Sequence, residues 1–228
     1  MAPSSPESRP HLLIADDHAI FLEALNCFLQ KIYAVAGTVT DGRSLVTEAI
    51  RLKPDIIILD VGMPLLNGLD AARRIREHLP NIRIVFLTMQ DNAHLAAAAL
   101  ELGHTGFVLK HAAASELVTA IEQVWRGESY ISPKLQSGVA VEPKTQTSRP
   151  PKNLTPRQRD IVQLFAEGYG LKEIAERLNL SLKTIEFHKH HIMAEFHLKS
   201  NADLVLLAVK KGLITINPDI RYGQGKVI

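Results

Sequence analysis

Residues 56–60 read IIILD, and residues 11–17 read HLLIADD. Each is a short apolar run that stops on aspartate. A strand without polar/apolar alternation is covered on both faces, the mark of a parallel sheet between two layers of helix. Working outward, residues 84–88 (IVFLT) and 106–109 (GFVL) repeat the pattern, and 34–39 (AVAGTV) gives a less apolar strand. Between these runs, helix-period stretches fall at about 19–30, 44–52, 69–78, 93–102 and 115–125. Five strands alternating with five helices predict βαβ units and an α/β doubly wound sheet of five parallel strands. Right-handed crossovers leave few topologies for such a sheet.

The chain has 228 residues, room for one large or two small domains. Its net charge of +2 hides an asymmetry. Residues 1–132 hold 11 Lys/Arg against 15 Asp/Glu, and residues 133–228 hold 15 against 9. A −4 front and a +6 back suggest two jobs, with a polyanion as a partner of the back. The Pro/Ser-rich residues 1–10 read as a disordered leader and lack the apolar core of a signal peptide. Residues 132–153 carry four prolines without a period and read as a linker. The expected division is therefore a leader at 1–10, an α/β domain at 11–131, the linker, a helical domain at 154–214 and a loose tail at 215–228. The single cysteine, Cys27, lies in an apolar helical pattern and is expected to be a buried structural thiol. No run approaches the length of a membrane span, so a cytoplasmic protein without a membrane partner is expected.

Asp16 and Asp17 follow the first strand, and Asp60 ends the third. The C-terminal ends of strands in an open α/β sheet share one edge, where ligands bind. Three carboxylates there repel one another unless a cation sits among them, and an all-oxygen set favours Mg2+. Thr88 ends the fourth strand and Lys110 follows the fifth, so a hydroxyl and an ammonium on the same rim suit phosphoryl oxygens. Any one of these residues could merely cap a helix or end a strand. Five at the ends of four strands argue for a site.

The stretches LLIADDH, IIILDVGMP, VFLTMQ and FVLK resemble the receiver domain of two-component response regulators over residues 12–126. The resemblance implies the flavodoxin-like strand order 2-1-3-4-5. It implies that Asp60 accepts a phosphoryl group from the phosphohistidine of a sensor histidine kinase. Asp17 would bind Mg2+ directly, Asp16 through water, and Asp60 and the Gly62 backbone carbonyl would complete the protein's ligands. Lys110 would pair with the phosphoryl group, Thr88 would swing toward it, and Phe107 would turn inward with Thr88. The surface of 93–102, 106–109 and 115–126 would then offer a dimer interface. Three departures from the family pattern stand out: Gly62 after the acceptor, Met89 after Thr88, and His111 after Lys110. His104 and His111 offer pH sensitivity, against a bland reading as solvated loop residues.

From Leu154 the chain is helical. Thr155-Pro156-Arg157-Gln158 supplies an N-cap, a first-turn proline and a capping-box glutamine. Further helices are expected at 171–178, 182–196 after Ser181, and from the Ser200-Asn201-Ala202-Asp203 box to about Lys211. Four helices with a tight turn between the second and third fit a helix-turn-helix. LTPRQRDIVQLFAEG, KEIAERLNLSLKTIEFHKHHIM and SNADLV resemble the DNA-binding domain of the NarL/LuxR class. The third helix would then be the recognition helix in the major groove of double-stranded DNA. Ile185, His188, Ile192 and Phe196 form its inward stripe, with His188 expected as a packed, hydrogen-bonded core residue. Glu186, Phe187 and His190 lie on another face as base-edge candidates, flanked by Lys183, Thr184 and Lys189 for phosphate. Gln158, Asp160, Gly170-Leu171 and Phe196-His197 depart from the usual family residues, the last at the place of a common Leu-Gly.

Together these readings imply a cytoplasmic transcription regulator of a phosphorelay, homodimeric on activation, with Mg2+ as its cofactor. Two other classes fit the residues less well. A regulator driven by protein contacts alone leaves Asp16, Asp17, Asp60, Thr88 and Lys110 without a reason to occur together. A Mg2+-dependent aspartyl phosphatase needs an acid/base carboxylate two residues after the nucleophile, where Gly62 stands.

Overall fold

The computed structural model describes residues 9–89, 93–103, 105–112, 114–136 and 153–214. Residues 1–8 of the expected leader, 137–152 of the expected linker, the expected tail and His104 lie outside the described residues. The chain divides into two compact units.

The first unit runs β1 (His11–Ala15), α1 (Ala19–Leu29), β2 (Ala34–Val39), α2 (Gly42–Leu52), β3 (Ile56–Asp60), α3 (Gly68–His78), β4 (Arg83–Thr88), α4 (Ala93–Leu100), β5 (Thr105–Leu109), α5 (Ala114–Trp125), β6 (Tyr130–Ile131) and α6 (Pro133–Gln136). The sheet order is β2-β1-β3-β4-β5-β6, all parallel. The first five strands stand in the expected order, and the expectation of five strands is corrected to six. β6 is only two residues long, pairing Gly106 with Tyr130 and Phe107 with Ile131, so it carries no readable period. Ser132 anchors this edge. Its amide donates to the Phe107 carbonyl at 2.9 Å, and its hydroxyl accepts from the Leu109 amide at 3.2 Å. Residues 132–136, read from sequence as the start of the linker, thus belong to the sheet edge, with Ser132 and Leu135 buried.

The sheet is buried on both faces, as its apolar strands require. Leu12, Ile14, Ile56, Ile58, Val85, Leu87 and Val108 pack with α1 and α5 through Leu22, Leu25, Leu29, Leu117, Ile121 and Val124. The alternate residues Leu13, Ile57, Leu59, Ile84, Phe86 and Phe107 fill the other face. On α1 the spacing of Leu22, Leu25 and Leu29 defines the buried stripe. Cys27 falls two residues after Leu25, roughly opposite it around the turn, and is exposed. The expectation of a buried thiol is therefore corrected.

The second unit holds α7 (Pro156–Ala166), α8 (Leu171–Leu178), α9 (Leu182–Glu195) and α10 (Asn201–Lys210). The expected caps are present. Thr155 and Gln158 form a capping box, Ser181 accepts from the Thr184 amide, and Ser200 and Asp203 form a second box. Ile185 and Ile192 of α9 are buried, whereas His188 is half-buried and lies edge-on to the Phe187 ring. The expectation of a core histidine is therefore corrected: His188 sits at the margin of the buried stripe. At the end of α9 the Leu198 amide donates to the Met193 carbonyl at 2.8 Å and that of His197 to Ala194 at 3.3 Å. This is a Schellman closure with His197 at φ +55°, the place where glycine is usual.

Candidate functional site

Parallel strands in step deliver their last residues to one edge. Ala15 stands beside Leu59, Asp60 beside Leu87, and Thr88 beside Leu109. Asp16, Asp60, Thr88 and Lys110 are thereby brought together, and the Lys110 amide donates to the Thr88 carbonyl at 2.8 Å. The Lys110 ammonium reaches Asp16 Oδ2 at 2.7 Å and Asp60 Oδ2 at 2.9 Å. All three of these side chains are almost wholly buried. Phe21 covers the lysine, its ring centroid 5.1 Å from Nζ.

One ammonium between two buried carboxylates leaves a net negative site. Burial is the largest influence on Asp60 and raises its pKa; Lys110 pulls it down and Asp16 pushes it up again. Burial works to lower the pKa of Lys110, but Asp60 and Asp16 together outweigh it, and the group is held above its ordinary value. The Gly62 amide donates to Asp60 Oδ1 at 3.2 Å, fixing the carboxylate plane while Oδ2 meets the lysine.

Asp16, Asp17, His18 and Asp60 each bring one donor atom within 4.8 Å of the others. Three carboxylates around a small gap fit a hard divalent cation such as Mg2+. His18 was not singled out by the sequence reading. Its Nδ1 lies 2.9 Å from Asp17 Oδ1 and 3.3 Å from Asp16 Oδ1, and its amide donates to the same Asp16 oxygen. The run Asp16-Asp17-His18 was the available signal. The imidazole therefore holds Asp17, the more exposed of the two aspartates, where a cation would compete for it.

Thr88 and Phe107 are both buried and lie on the same sheet face. Phe107 packs against Phe86, with ring centroids 6.2 Å apart.

In the helical unit, Lys183, Glu186, Phe187, Lys189 and His190 border one groove of about 810 Å3 with Leu171, Met193, Lys199, Ser200 and Asn201. Phe187 is 65% exposed, an apolar ring on an otherwise polar helix face. Lys189 is half-buried, with Nζ 4.8 Å from the Phe165 ring centroid, so its stem belongs partly to the unit's packing. Thr184 is committed to the cap, its hydroxyl 2.7 Å from Ser181 Oγ. The start of α10 and Lys199 were not read as part of this rim, because α9 and α10 meet only in the folded unit.

A receiver-type carboxylate pocket and a capped helix-turn-helix define a class, and comparison with known proteins agrees. The response regulator receiver domain family matches residues 12–122, and the luxR family of bacterial regulatory proteins matches residues 152–208. The chain belongs to the response regulators that join these two domains, and it is a DNA-binding transcription regulator whose partner is a sensor histidine kinase. Among similar proteins is the oxygen regulatory protein NreC of Staphylococcus carnosus (strain TM300), 37% identical over 89% of this chain and 98% of that protein. NreC of Staphylococcus aureus (strain MRSA252) is 38% identical over the same shares. Among solved structures, the RcsB response regulator of Salmonella typhimurium matches with a TM-score of 0.61, 26% identity, and 90% and 98% of the two chains. A LuxR-family two-component response regulator from Aurantimonas sp. SI85-9A1 matches with a TM-score of 0.56, 30% identity, and 59% and 98% coverage.

Proposed function

We propose that Asp60 is the phosphoacceptor and that its modification controls DNA binding by the helical unit. The observation that carries this reading is the buried Lys110 ammonium bridging Asp60 and Asp16 on an edge that also presents Asp17 and Thr88. Asp60 Oδ would attack the phosphorus of a kinase phosphohistidine; the P–N bond breaks, a P–O bond forms, and the histidine nitrogen keeps the electron pair. Asp16, Asp17, Asp60 and the Gly62 carbonyl would hold Mg2+, which supplies charge neutralisation for the transferring group. Lys110 would neutralise a phosphoryl oxygen, and the Thr88 hydroxyl would hydrogen-bond another, with Phe107 following it inward. Gly62 places no acid or base two residues after Asp60, which supports a regulator over a turnover phosphatase.

Lys183 and Lys189 would meet DNA phosphates with Thr184 beside them, and Glu186, Phe187 and His190 would read base edges. RcsB has been solved bound to DNA and as dimers on DNA, which supports a homodimer spanning two half-sites for this chain. The reading places the protein in the cytoplasm, and it keeps domains at 11–131 and 154–214 joined by the segment 132–153, of which 132–136 extend the sheet edge. Labelled acetyl phosphate with Mg2+ tests the site. Wild-type protein should take up label and Asp60→Asn should not; undiminished label in Asp60→Asn removes the assignment.

A further inference from the structure

We propose that the first unit binds a small phosphorylated molecule at the opposite edge of its sheet from the carboxylates, through Arg76 and Arg83. At that edge lies a cleft of about 630 Å3 lined by Arg76, Ile82, Arg83, Leu102, Gly103 and Gly127, together with Pro80 and Asn81, and no acidic residue. The volume falls within the range of small-molecule sites.

Three other arginines of this unit, Arg51, Arg73 and Arg126, each meet a carboxylate three or four residues earlier in the chain. Arg76 and Arg83 meet none among the described residues. Arg76, half-buried on the last turn of α3, makes one long hydrogen bond, 3.4 Å from Nη2 to the Ile82 carbonyl. Its Nε is buried without an acceptor. A guanidinium carries five N–H donors, and a poorly satisfied buried one is costly. Burial accordingly lowers the pKa of Arg76. Arg83 lies over the Trp125 ring, 4.6 Å from its centroid, which fixes the plane and leaves its edge donors for a ligand.

Gly103 adopts φ +85°, which favours glycine, and its Cα approaches Arg76 closely enough that an added Cβ would touch Nη1 at 3.4 Å. A second cleft shares Pro80, Asn81, Ile82 and Arg83 and adds Lys53 and His78. Its one acidic residue, Asp55, is engaged by the His11 amide at 2.8 Å. The edge is therefore basic within a half-chain of net negative charge. Two planar forks around a cleft with apolar walls match a phosphate dianion carried on a small organic body.

The test uses the full chain without Mg2+, titrated with inorganic pyrophosphate at constant ionic strength, while the amide signals of Gly103 and Gly127 are followed by NMR. Saturable shifts at both glycines are expected. Arg76→Gln/Arg83→Gln should weaken binding at least tenfold, and Lys183→Gln/Lys189→Gln should leave it unchanged. Arg76→Lys keeps the charge and the stem, so it should melt as wild type and bind several-fold more weakly for lack of the fork. Absence of saturation at Gly103 and Gly127, or equal affinity in the double arginine variant, overturns the proposal. So does binding that follows Lys183 and Lys189.

Discussion

His197 shows how one residue can go against local preference. It closes α9 at φ +55°, a conformation that disfavours a side chain and suits glycine. The two closing hydrogen bonds are made regardless, so the strain is local. His197→Gly should raise unfolding free energy by about 1 kcal/mol, read from urea denaturation of the intact chain. An unchanged or lowered midpoint would mean that the imidazole contributes more than the backbone strain removes. Asp60 is a second residue whose surroundings override its usual chemistry. Its pKa is raised above the ordinary 3.8, first by burial, so the folded state holds a proton that the unfolded carboxylate has released. Between 3.8 and the folded value, the native state binds more protons, and stability falls as pH rises through that window. Other carboxylates titrate nearby, so the measure is a difference: metal-free wild type minus Asp60→Asn should decline with rising pH across that window and then level off. A difference that grows with pH contradicts the burial argument.

At the scale of elements, the start of α3 is pressed against the end of β3. A Cβ on Gly68 would lie 2.3 Å from the Asp60 carbonyl oxygen and 2.4 Å from Leu59 Cδ1. The carbonyl is Asp60's own, so it cannot yield without moving the carboxylate that Lys110 holds. Gly68→Ala should therefore cost about 1–3 kcal/mol by overpacking and also slow phosphoryl uptake from acetyl phosphate. Wild-type stability in Gly68→Ala would show that α3 can slide away freely. The strands and most helices were legible in the sequence because apolar runs and capping residues are local signals. Ser181, Thr155 and Ser200 mark their helix starts by chemistry that acts over three residues. β6 was not legible, because a two-residue strand exists only by virtue of the β5 edge it joins.

At the scale of the molecule, the near-neutral charge resolves into an acidic sheet unit and a basic helical unit. DNA affinity should fall steeply with salt, and Lys183→Ala should weaken binding and reduce the log–log salt slope by about 0.9 if its ammonium meets one phosphate. Fluorescence anisotropy across a salt series reads both quantities. A slope unchanged by Lys183→Ala would remove that lysine from the interface while leaving the groove around Phe187 in place. Phosphodonor with Mg2+ should raise the affinity of wild type and leave Asp60→Asn unchanged, measured in the same assay.

The sequence by itself determined the parallel sheet and the edge on which Asp16, Asp17, Asp60, Thr88 and Lys110 assemble. Periodicity sets which residues end strands, and parallel strands end together. It also determined the four helices of the second unit, three of them by their capping residues, and the exposed Glu186, Phe187 and His190 of α9. Only the tertiary structure decided that Lys110 bridges Asp16 and Asp60, that His18 holds Asp17, and that Cys27 faces outward. It alone brought Arg76 and Arg83 to one cleft without a carboxylate. The Lys110 bridge depends on side chains far apart in the chain, and no local propensity encodes a distance across a sheet; the others depend on which way a side chain turns once the fold has packed.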